Sequence, residues 1–143
     1  MSHPPRLFAC LTISMAAMVA LAQKAPQSDL RSRLQTVPGV VSVEAGKGEN
    51  SYVVMFDQPV DRLNPKGLRF QQRIFLRHAA FDRPVILGTE GYEAGGPNGG
   101  ELDGMLDRPN LLTVEHRYFG ASVPKPLVWK HLTVKNAAAD MHR

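Results

Sequence analysis

Apolar and polar residues change their period several times along this chain, and each change marks an element. Val40 to Glu44 is β-rich, and Ser51 to Asp57 sets Tyr52, Val54 and Phe56 on one side of an extended segment. The turn material between them, Gly46-Lys47-Gly48-Glu49-Asn50, predicts a hairpin. From Phe70 to His78 the alternation is clean. Phe70, Gln72, Ile74 and Leu76 point one way, and Gln71, Arg73, Phe75 and Arg77 the other, which predicts a half-exposed antiparallel strand. Val85-Ile86-Leu87 has no alternation and predicts a strand buried on both faces, as in a parallel sheet. Thr89-Glu90-Gly91-Tyr92 follows at once, in the place where open α/β sheets collect ligands.

Further along, Leu102, Met105 and Leu106 recur at helical spacing, with acids ahead of them, so Glu101 to Asp107 is predicted as a helix. Leu111 to Glu115 is a second apolar strand, which completes a strand–helix–strand unit. Gln23 to Val37 reads as a leading helix or linker stopped at Pro38-Gly39. Thr133 is predicted to cap a last helix that carries Val134, Ala138 and Met141 and is still running at Arg143. The predicted class is α/β: antiparallel strands first, then βα units of a mostly parallel sheet. An α/β-hydrolase begins in this order, so the expected fold is the N-terminal half of one, incomplete.

Composition changes the picture mainly at the start of the chain. The 143 residues suffice for one modest domain. His3 and Arg6 precede an uncharged apolar run from Leu7 to Leu21, and Ala20-Leu21-Ala22 supplies small residues around a cut. That is the make-up of a signal peptide, and the run is shorter than the ~20 residues a span needs. The expected organisation is a signal peptide over 1–22, a leader or linker over 23–39, and the N-terminal part of a catalytic domain over 40–143. A secreted or periplasmic location follows, with no stable membrane anchor after cleavage. Cys10 is the single cysteine and lies inside the leader, which leaves the exported chain without a thiol. The net charge of +4 is spread among interleaved acids, with no basic run, so no nucleic-acid partner is expected.

Candidate chemistry is sparse. Gly120-Ala121-Ser122-Val123-Pro124 falls one residue short of a nucleophile elbow, and prolines stand where the elbow's helix would start, so an ordinary loop serine is favoured. His78, His116, His131 and His142 show no ligand spacing, and neither a metal nor another cofactor is expected. Glu115 and Arg117 read as a structural ion pair or hydrogen-bond anchor for their loop. Gly91 and Tyr92 are the candidates for catalytic backbone donors, on the oxyanion side of a hydrolase site. Glu90 could hold a substrate's ammonium group or tie the turn's own amides together.

Several strings taken together resemble a known family. They are Gln58-Pro59-Val60-Asp61, Phe70-Gln71-Gln72-Arg73, Thr89-Glu90-Gly91-Tyr92, the long Glu115-His116-Arg117-Tyr118-Phe119-Gly120-Ala121-Ser122-Val123-Pro124, then Trp129 and Asp140-Met141-His142. In this order they resemble the secreted bacterial tripeptidyl aminopeptidases of the serine type, and more distantly the prolylcarboxypeptidases. Arg62 departs from the pattern, which has histidine there. The resemblance implies peptide substrates, cleaved to release short peptides, expected to be tripeptides, from free N-termini by a Ser–Asp–His triad. None of that triad falls within these residues, so the chain alone is expected to fold poorly and to hydrolyse nothing, with the Leu111–Val114 strand lacking a neighbour. The alternative is a non-enzymatic exported binding or inhibitory module derived from a hydrolase.

Overall fold

A computed structural model describes residues 27–142. The anticipated signal peptide lies outside the described residues. Helix α1 (Gln27–Gln35) leads into strands β1 (Val40–Ala45), β2 (Ser51–Pro59) and β3 (Arg69–Arg77). Strands β4 (Val85–Thr89) and β5 (Asn110–Val114) follow, then helix α2 (Val134–Asp140). One five-stranded sheet runs in the order β1-β2-β3-β5-β4. The first three strands form an antiparallel meander and β5 pairs antiparallel with β3. Only β4 and β5 are parallel, so the sheet is mixed rather than mostly parallel.

The predicted hairpin is β1–β2, and its entry depends on Gly39. This residue sits at φ +95°, and a Cβ there would come 2.8 Å from the Phe56 ring. Of the two readings of the leading segment, the helix is the one observed. Leu30 and Leu34 of α1 pack onto Val43, Tyr52, Val54, Ile74 and Leu76. Cross-strand partners share a face, so this core face also carries Gln58 and Gln72, and further on Leu112, Val114, Val85 and Leu87.

Three expectations fail here. β4 is not buried on both faces. Ile86 is buried, but Val85 is 60% and Leu87 49% exposed. The reason is position: β4 is an edge strand, and α1 covers only the β1–β3 end of that face. Correspondingly, Leu111–Val114 does not lack a neighbour, because β5 is inserted between β3 and β4. At this end of the sheet the free edge belongs to β4. Third, the Glu101–Asp107 segment is no α-helix but a 3-10 turn at Gly100–Gly104. Two glycines and the early Pro109 leave too little good helix-forming sequence to repay nucleation.

Helix α2 begins as expected, with the Thr133 hydroxyl accepting from the Asn136 N–H at 3.2 Å. It stops at Asp140, with Met141 as its C-cap, instead of running on. Among the described residues no helix is long and apolar enough to cross a membrane.

Candidate functional site

Where β4 ends, the chain turns away from the sheet at Thr89-Glu90-Gly91-Tyr92. Two backbone bonds hold this turn to the neighbouring strand and its extension: Glu90 N–H donates to Val114 at 3.2 Å, and His116 N–H to Tyr92 at 3.3 Å. The Glu90 carboxylate accepts from the Asn98 amide at 3.3 Å, leaving its other oxygen without a protein donor among the described residues. Tyr92 is 72% exposed and meets the Phe119 ring edge-on at 5.1 Å. Neither the Gly91 nor the Tyr92 N–H donates to an acceptor among the described residues. A Cβ built on Gly91 would touch nothing within 4 Å.

Beside the turn lies a groove of about 460 Å³, bounded by Thr89, Glu90, Gly91 and His116 on one side and by α2 on the other. The α2 wall is the predicted stripe, Val134, Ala138 and Met141, joined by Ala137. The sequence-predicted residues Glu90, Gly91 and Tyr92, consecutive in the chain, follow directly on the end of β4. Gly91 and Glu90 line the groove, while Tyr92 caps the adjoining aromatic contact.

The long motif does something else. Glu115 is fully buried and its carboxylate is saturated. It pairs with Arg73 and accepts from the amides of Ala94 (3.1 Å), Ala121 (3.0 Å) and Ser122 (3.1 Å), and from the Ser122 hydroxyl (2.8 Å). Ser122 is itself wholly buried, and its Oγ also accepts from Arg73 N–H at 2.9 Å. A hydroxyl sealed in this way has no access to substrate. Gly120 is required because its φ is +50° and a Cβ would lie 2.2 Å from Glu115 Oε1.

Arg117 is not paired with Glu115. Its Nε and Nη2 make a two-pronged bond to Asp140, each at 2.8 Å, and it donates further to the carbonyls of Val60 and His131. Such planar double contacts are the strong form of charge-assisted bond. Arg62 pairs with the same Asp140 and donates to Gln58 at 2.8 Å. Two glutamines join the two charged knots. Gln72 donates to the Glu115 carbonyl at 2.9 Å and accepts from Gln58 at 3.0 Å, and Gln58 also donates to the Asp140 carbonyl. Of the two readings of Glu115 and Arg117, the ion pair between them is absent and the hydrogen-bond anchor is what the contacts show, but the buried polar spine that joins them is not visible from that pair alone. The signal was present: Gln58 and Gln72 occupy core-face positions of alternating strands, where an unpaired amide would cost a few kcal/mol.

Tyr118 follows in the left-handed region at φ 73°, held by a 2.6 Å bond from its hydroxyl to Val128 and by stacking on Trp129. Burial pushes its phenol above 10.0, with the Arg117 charge opposing. Among the described residues no group of three or more His, Cys, Asp or Glu side chains could hold a metal ion.

Comparison with known proteins gives this arrangement its setting. The chain is 34% identical over 140 residues to the prolyl tri/tetrapeptidyl aminopeptidase of Streptomyces mobaraensis, an alignment covering 96% of this chain. It spans about 29% of that relative's length. The family model for the PS-10 peptidase S37 matches residues 23–143, nearly all of the chain, and on this match the chain belongs to the PS-10 peptidase S37 family.

Proposed function

We propose that this chain forms the oxyanion-side part of an exported serine aminopeptidase that releases short peptides, tripeptides above all, from free N-termini. The observation that carries the reading is the Thr89–Tyr92 turn. It leaves the end of a parallel strand with two backbone N–H groups free of protein acceptors among the described residues, next to an open groove. Gly91 and Tyr92 donate to the oxygen that becomes negative as the peptide carbonyl is attacked, an interaction stronger in the transition state than in the ground state. Glu90, anchored through one oxygen by Asn98, offers the other to the substrate's N-terminal ammonium.

In the α/β-hydrolase architecture the nucleophile sits on a turn directly after a strand. The free edge of β4 is where such a strand would pair, which would set a serine beside Gly91. Residues 1–22 act as the export signal and 40–143 as the front of the catalytic domain. By itself the chain hydrolyses no peptide.

The test is a chimera in which residues 23–143 replace the aligned segment of the Streptomyces mobaraensis enzyme. It should release tripeptides from a chromogenic substrate, and Glu90→Gln should raise KM at least tenfold while leaving kcat within a factor of about three. A folded, soluble chimera without activity would overturn the oxyanion assignment. Unchanged KM in Glu90→Gln would overturn the ammonium contact alone.

A further inference from the structure

Position 62 carries an arginine whose charge the fold does not fully balance. Asp140 is one carboxylate shared by two guanidinium groups, Arg117 and Arg62. Arg117 already satisfies both of its oxygens with a two-pronged contact. Arg62 therefore adds a positive charge that the knot does not neutralise, and its buried Nε has no hydrogen-bond partner.

Immediately outside, Arg62 forms one wall of a pocket of about 290 Å³. Lys130, His131 and Lys135 line the same pocket, and Arg117 reaches its back through a 3.0 Å bond to the His131 carbonyl. Neither lysine has an ion-pair partner among the described residues. The one acid in the lining, Asp61, spends Oδ1 on the Leu63 N–H at 2.9 Å and stands 4.0 Å from His131 Nδ1. Arg62, Lys130 and Lys135 in the lining, with Arg117 behind His131, thus outnumber the carboxylates of Asp61 and Asp140. A concave surface with an excess of one sign of charge focuses its field inward. The volume lies just below the ~300 Å³ at which ligand pockets for drug-sized molecules begin. Size and sign together select a small, multiply charged oxyanion.

We propose that this pocket binds a tetrahedral oxyanion of the phosphate or sulfate class, with Lys130 and Lys135 as its direct contacts and Arg62 supplying the unbalanced charge behind them. The site is separate from the Thr89–Tyr92 turn and does not depend on the proposed peptidase reading. An anion there would brace the start of α2 against the loop after β2, since Arg62 belongs to one and Lys135 to the other.

The test is a titration of the full chain with inorganic phosphate at constant ionic strength and pH, followed through backbone amide shifts, with sodium sulfate and sodium chloride as parallel arms. Phosphate or sulfate should give saturable shifts confined to residues 61–63 and 130–136. The double substitution Lys130→Gln, Lys135→Gln should weaken binding at least tenfold, and Arg62→His by about threefold to tenfold. Should Arg62→His disturb the fold, the exposed lysine pair still decides the matter. Absence of saturation, an equal response to chloride, or equal affinity in the lysine variant would each overturn the proposal.

Discussion

The spine through Glu115, Gln72, Gln58, Asp140 and Arg117 differs from the turn Thr89–Tyr92 in almost every physical respect. In the spine the side chains are fully or nearly fully buried, and each carboxylate oxygen has a donor. At the turn, a carboxylate oxygen and two amides have no acceptor or donor among the described residues, and Tyr92 stands out into solvent. Yet the two regions are mechanically joined. Ala94 N–H binds Glu115, and His116 N–H binds the Tyr92 carbonyl, so the loop after β4 is held at Tyr92 and Ala94 by the residues directly after β5. The closed region determines where the open one sits. The length of a motif such as Glu115–Pro124 is therefore no sign that it carries unengaged polar groups. This motif specifies the anchor, and the short string beside it has the free groups.

The comparison is sharpest when a spine charge is removed. Asp140→Ala leaves Arg117 buried and Arg62 largely buried, with no counter-charge. Breaking a buried pair from one side typically costs about 3–5 kcal/mol. Urea denaturation should show the full chain losing most or all of its cooperative transition. A shift of under about 1 kcal/mol would mean that water reaches Arg117 and that the spine is not closed.

A smaller effect is expected at Gly120, where a single methyl group probes the Glu115 cradle. Gly120→Ala combines a strained left-handed backbone with a Cβ placed 2.2 Å from a carboxylate oxygen. Strain of that kind costs about 1–3 kcal/mol, read as a lower urea midpoint at unchanged slope. Exchange of the Ala94 amide should quicken in the same variant, because Glu115 can give way only by moving off its donors.

Much of this was legible in the sequence, and the failures have physical causes. The β1–β2 hairpin, the alternation of β3 and the Thr133 cap are set by local periodicity and turn chemistry, which a linear pattern records. The burial of β4 was misread because an apolar run reports a strand's suitability for a core and not its place in the sheet. Val85 and Leu87 lie exposed because β5 took the interior position. The Glu101–Asp107 helix failed because three apolar residues at helical spacing cannot offset Gly100 and Gly104. At the site, Glu90, Gly91 and Tyr92 are consecutive residues that the apolar run places just past a strand end, and β4 does end at Thr89. The spine was hidden because its partners are far apart in sequence: Gln58 and Asp140 are separated by 82 positions. Single-residue reading finds buried polar groups but not what satisfies them.

Tyr118 gives a pH-dependent test of the spine's margin. Burial raises its pKa in the folded chain above the 10.0 of an exposed phenol, so the folded state holds the proton more tightly than the unfolded state. The associated stability is complete below pH 10 and is lost as pH rises through the folded pKa. The unfolding midpoint should therefore fall more steeply above pH 10 in the wild type than in Tyr118→Phe. Below that pH, Tyr118→Phe should cost about 1 kcal/mol for the lost bond to Val128. Parallel alkaline profiles would show that the phenol is solvated.

The smallest effect belongs to the turn, and its smallness is the point. Gly91 has no positive φ, and a methyl group there meets nothing within 4 Å, unlike Gly120. Gly91→Ala should change stability by under about 0.5 kcal/mol, the range of surface substitutions away from special features. Its N–H is retained, so the proposed donor survives, and the peptidase chimera should keep kcat within about threefold. A methyl group on the groove wall can change access, so any effect should appear in KM. If Gly91→Ala instead destabilised the chain as much as Gly120→Ala, the turn would be packed and not open. Two glycines in one chain, one fixed by an anchor and the other beside free amides, thus separate the holding role of the spine from the contact role proposed for the turn by one methyl group each.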